Sequence, residues 1–92
     1  MMKGGSILVL LMLASGNDAR QEHKCWLRDE AGHQRIVHYQ LRPARLEQQM
    51  TGLAGRLLVQ SGNRIAQVME CVPYKGKFRS RQARALEQLT PR

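Results

Sequence analysis

The sequence predicts an α+β fold: a small antiparallel sheet of about four strands in two hairpins, closed by a C-terminal helix and stapled by one disulfide. Runs rich in Leu, Ile and Val flank glycine-bearing turns, the pattern of hairpins. The tail carries apolar residues at helical spacing. Two cysteines occur in a chain whose start reads as an export leader, so they meet an oxidising compartment in which they can cross-link.

In the leader, Lys3 precedes an unbroken apolar run from Ile7 to Ala14, and small and polar residues follow. That is the layout of a secretory signal peptide. A spanning helix needs about 20 apolar residues, and this run is far shorter. Cleavage fits after Gly16 or after Ala19. We take Ala19, which makes residues 1–19 the signal peptide and 20–92 a single small domain. No cysteine follows the run closely, as a lipid anchor would require.

The first hairpin is read in residues 23–41, HKCWLRDEAGHQRIVHYQL, around a turn in which Gly32 supplies a positive φ. Val37, Tyr39 and Leu41 alternate with Ile36, His38 and Gln40, a half-buried strand. The second is read in residues 56–72, with Ser61, Gly62 and Asn63 as its turn. Between them, residues 42–55 space Leu46, Met50 and Leu53 as a helix would, but Gly52 and Gly55 weaken it. A connection with at most a short helix is expected. In residues 77–92, Ser80 can cap a helix whose apolar stripe is Ala83, Leu86 and Leu89, with Arg81, Arg84 and Gln88 left to solvent. The stripe is expected to pack on the sheet, and Pro91 ends the helix.

Cys25 opens the first hairpin and Cys71 closes the second, so the bond between them ties the hairpins together. A core this small usually needs such a staple. A structural zinc site would require four ligands and a close pair. His23 stands near Cys25, but His33, His38 and Cys71 are scattered. No metal and no cofactor is expected. Nor is any catalytic residue: Asp29 and Glu30 adjoin the turn and read as solvated, His33 and His38 as surface residues, and no G-x-S-x-G or H-E-x-x-H motif occurs.

The chain carries a net charge of +8, and the leader, with only Lys3 and Asp18, does not alter it. Such an excess favours acidic partners. Lys75, Lys77, Arg79, Arg81 and Arg84 follow one another with no acid between them. In the cytosol this cluster would suggest nucleic acid. Export and the few aromatics available for base stacking point away from it. An acidic protein face, an anionic membrane surface or an envelope polysaccharide remain as partners, beside the plain alternative of a solvated basic face.

The ordered set of leader, KCWL at residues 24–27, a glycine turn, ECV at 70–72, Phe78 and ARALEQLTPR at 83–92 resembles the short accessory proteins of the TapY group. These are encoded with bacterial type IVa pilus and secretion components. The resemblance spans residues 24–92 and rests on the cysteines and on Phe78, Ala83 or Ala85, Leu86, Thr90 and Arg92. It carries over the Cys25–Cys71 disulfide and no catalytic motif. It implies a Gram-negative periplasmic location and a non-enzymatic role in pilus assembly or secretion, with a protein of that machinery as partner. The alternative is a secreted basic module that binds or inhibits an acidic envelope component or enzyme.

Overall fold

The computed structural model describes residues 19–90. The predicted signal peptide lies outside the described residues, Ala19 excepted. A three-stranded antiparallel sheet is built from β1 (Gln21–Asp29), β2 (Gln34–Leu41) and β3 (Ile65–Pro73), in the order β2-β1-β3. A short 3-10 turn (Pro43–Arg45) leads into helix α1 (Leu46–Leu53), and helix α2 (Arg81–Leu89) follows β3.

The central strand explains the layering. His23, Cys25, Leu27 and Asp29 alternate with Lys24 and Trp26, and nearly all of them are buried. One face gathers Cys25, Leu27, Val37, Leu41, Ile65 and Cys71 under Leu53 of α1 and Leu58 of the next loop. The opposite face packs Ile36, Trp26 and Val72 against Phe78, Ala83 and Leu86. Each side of the sheet therefore has its own apolar cluster, which removes more surface from water than a one-sided sheet could. Two register shifts, between Trp26 and Leu27 and between Arg28 and Asp29, leave Met69 and Ala66 without a partner on β1. They turn Val68 and Ile65 to the face of Cys71, where the first cluster needs them.

The first hairpin forms as expected. Gly32 has φ 89°, and the Asp29 carboxylate accepts the Ala31 and His33 amides at 3.0 and 2.9 Å, closing the turn from beneath. Asp29 is thus buried rather than solvated. The second hairpin forms only in part: the chain reverses through the expected turn, with Gly62 at φ 76°, but the first arm is not a strand, and the sheet has three strands rather than four. Its first arm is reduced to an isolated bridge, Leu57 with Arg64. The chain leaves α1 through Gly55 and begins turning at Leu58, whose carbonyl accepts from both Ser61 and Gly62. Only Gly55 to Leu58 lie alongside residues 63–65, at the start of β3, too short a run to become a strand.

The connection does contain the short helix. Its entry is held by Gln49, whose amide donates to the Arg42 and Arg45 carbonyls at 2.8 and 2.9 Å and accepts from the Arg42 amide at 3.1 Å. Cys25 and Cys71 are bonded and directly opposite on β1 and β3, with Cα atoms 4.1 Å apart. The bond is a rung inside the sheet that ties the first hairpin to β3.

Candidate interaction site

The basic segment lies in the connection from β3 to α2 and the first turn of that helix. The chain reverses after β3, with the Gly76 amide donating to the Pro73 carbonyl at 2.7 Å. A side chain at Gly76 would begin 3.1 Å from that carbonyl oxygen, so the turn accepts little else. Phe78 then plunges into the second core, leaving Lys77 and Arg79 on either side of it exposed. Ser80 caps α2 by accepting the Ala83 amide at 3.2 Å. Glu70 of β3 adds its carboxylate, which accepts the Arg79 amide at 2.8 Å and the Ser80 amide at 3.5 Å. An acid at this position offsets the partial positive charge of the helix start.

The five basic residues are not equivalent. Lys75, Lys77, Arg79 and Arg81 are exposed, and their side chains enter no ion pair among the described residues. Arg84 is half-buried and turned back: its Nη1 donates to the Phe78 and Arg79 carbonyls at 2.7 and 2.9 Å. It fastens the connection to the helix. Arg81 stands in the first turn of α2, which holds no acid, and a cation there opposes the helix dipole. The sequence spends a small amount of helix stability to keep positive charge at this spot.

The site is fixed to the sheet by a pair that sequence reading missed. Lys24, whose side chain is 8% exposed, donates to Glu87 of α2 at 2.5 Å and lies 5.5 Å from the centroid of the Phe78 ring. A lysine beside a buried cysteine reads as the solvent half of an alternating strand. Nothing local to Lys24 reveals that a helix 63 positions on will cover it. Gln34 contributes likewise, accepting from Trp26 at 2.9 Å and from Gln82 of α2 at 3.2 Å. The predicted stripe divides: Ala83 is buried and Leu86 half-buried, but Leu89 is 82% exposed.

The remaining titratable groups serve the fold. Burial alone would raise the Asp29 carboxyl, yet the His33 and Ala31 amides, the Asn63 side chain and Arg35 hold it below its ordinary value of 3.8. Glu22 faces His38 at 3.3 Å, and the His38 ring meets Tyr74 edge-on. Burial raises the Tyr39 phenol above 10.0, against the pull of Arg56. Among the described residues no three of His, Cys, Asp and Glu converge as a metal set would. No helix among them is long and apolar enough to cross a membrane.

A family model described as type IVa secretion system protein TapY2-like matches residues 4–92. The chain belongs to the TapY2-like family. No curated protein and no solved structure matches it. For this TapY2-like protein the functional setting is a type IVa secretion system, and with it the cell envelope. On its disulfide-bonded sheet the protein carries an exposed basic run from Lys75 to Arg81.

Proposed function

We propose that this TapY2-like protein is an exported, periplasmic and non-enzymatic accessory of a type IVa pilus or secretion machine, and that it docks an acidic face of one machine component through Lys75, Lys77, Arg79 and Arg81. The observation that carries the reading is their shared exposure, free of ion pairs among the described residues. A guanidinium grips a carboxylate through two parallel hydrogen bonds, so Arg79 and Arg81 are suited to a protein partner. The carboxylates support a role without catalysis. Asp29, Glu70 and Glu87 are each committed to turn amides, a helix start or a buried lysine. None of these three is left facing another as an acid and base couple would.

Deletion of the gene in its host tests the assignment. Type IVa piliation or secretion should fall, and a plasmid copy should restore it, with the protein recovered from the periplasm beginning between Asn17 and Gln21. Normal piliation and secretion in the deletion strain would instead favour a secreted basic module acting on an acidic envelope component.

A further inference from the structure

With β1 central, the sheet has two edges, and they are treated differently. The β3 edge is blunted by its two register shifts, by Pro73 and by the Leu57–Arg64 bridge. These are devices that discourage strand addition. The β2 edge has no register shift and no proline: its register against β1 is unbroken from Gln34 to Leu41, and at one end Arg20 donates to the Gln40 carbonyl at 3.5 Å. The direction of its backbone groups follows from the ladder. The Glu22 carbonyl accepts from Tyr74 on the β3 side. Alternation therefore aims the Cys25 groups at Val37, and those of Ile36, His38 and Gln40 point away from the sheet.

The flanks of this edge differ in chemistry. On the disulfide face, a cleft of about 420 Å³ borders β2 and is lined by Arg20, Tyr39, Gln40, Gln49 and Arg56, with no acid among the described residues that line it. At the other end of β2 the exposed Leu89 shares a groove that crosses the edge with Gln34, Arg35, Ile36, Val37 and Gln60. A strand laid on the edge sends alternate side chains to the two faces. Carboxylates on the disulfide face would meet Arg20 and Arg56, and apolar groups at the other end of β2 would meet Leu89.

We infer that the β2 edge is a second docking surface, which takes an extended, acidic segment of a partner protein as an added strand. Backbone hydrogen bonds supply the affinity and the arginine cleft selects acidic side chains. A second copy of this chain is the poorer occupant, because a β2-to-β2 pairing brings like charges together at a net charge of +8. The surface belongs to other elements than the Lys75–Arg81 run, and the inference does not depend on that run.

The peptide Ac-EVETEVE-amide, titrated into the oxidised full chain and followed by amide hydrogen exchange and chemical shift, tests it. Protection should rise at the amides of Ile36, His38 and Gln40 and not along β3. The basic analogue Ac-KVKTKVK-amide should bind at least about tenfold more weakly, as loss of charge-assisted contacts requires. The variant R20E/R56E should reverse the preference between the two peptides. Gln40→Pro removes an outward amide on an exposed residue without touching the ladder to β1, and should weaken the acidic peptide by roughly tenfold. Equal affinity for both peptides, or no added protection at Ile36 and His38 at millimolar peptide, overturns the inference. So does protection there that grows with protein concentration alone, which would mark self-pairing.

Discussion

Breaking the Cys25–Cys71 bond is the sharpest perturbation of the fold. The two residues face each other on neighbouring strands, and the adjacent pairs Lys24 with Val72 and Trp26 with Glu70 continue the same ladder without a covalent link. The bond therefore adds little to the native arrangement and acts on the unfolded chain, where it closes a loop of 46 positions. The chain-entropy relation puts that constraint at about 4 kcal/mol. Domains of this kind are stable by only about 5–15 kcal/mol, so the reduced protein should stand close to unfolding at room temperature. Urea unfolding with and without reductant measures the difference. With a slope of about 1 kcal/mol per molar urea, the midpoint should fall by roughly 4 M, or the reduced chain should be unfolded from the outset. Cys25→Ser and Cys71→Ser should each cost as much as reduction, and the double replacement should add little to either. A reduced midpoint within about 1 M of the oxidised one would show that the ladder and the two clusters suffice, and the loop-constraint reasoning would fail.

Removing one partner of the Lys24–Glu87 pair should discriminate between partners. Glu87→Gln leaves a buried ammonium without its counter-charge and should cost at least about 1–3 kcal/mol by thermal unfolding, whereas Lys24→Met should cost clearly less, because Glu87 is about a third exposed and can be solvated. Equal losses would contradict this account of α2 docking. Ser80→Ala should remove about 1 kcal/mol by loss of the cap on Ala83, read as a lower Tm with an unchanged far-ultraviolet spectrum. Asp29 has a carboxyl pKa depressed in the folded state, so its contribution is present above its ordinary value of 3.8 and is lost as pH falls through the lower folded value. The wild type should therefore outlast Asp29→Asn in thermal unfolding at neutral pH, and the gap should close in acid. A gap that stays constant down to pH 2 would exclude the linkage.

Local patterns carried much of this fold. Gly32 with its positive φ and Ser80 ahead of an apolar stripe are each decided within a few residues and found in place, while the alternation of β2 holds from Val37 to Leu41 and is broken by Ile36, which is buried on the other face. The cysteine pairing was legible because only one intramolecular pair exists. The first arm of the second hairpin is shorter than expected because apolar content in residues 56–60 does not reveal how early the chain turns. Leu58 packs inward while Val59 is exposed, and the backbone bonds of Leu58 set an early turn. The site was legible as charge and illegible as geometry. A sequence shows five cations in a row of ten positions, but not that Arg84 is consumed by the Phe78 and Arg79 carbonyls, nor that Glu70 and Lys24 reach across the fold to hold the segment.

The docking role of the exposed run is tested most directly by reversing its charge where folding does not depend on it. In Lys75→Glu, Lys77→Glu, Arg81→Glu, three exposed side chains change sign while Arg84, Glu70 and the Ser80 cap are left intact. Exposed charges contribute only about 0–1 kcal/mol each to stability, so the Tm should move by no more than a few degrees. Introduced into the deletion strain, this variant should accumulate to normal periplasmic levels yet fail to restore type IVa secretion, while Lys75→Arg, Lys77→Arg restores it. Full restoration of secretion by the charge-reversed variant, at normal abundance, would contradict the account and leave the basic run as a solvated face.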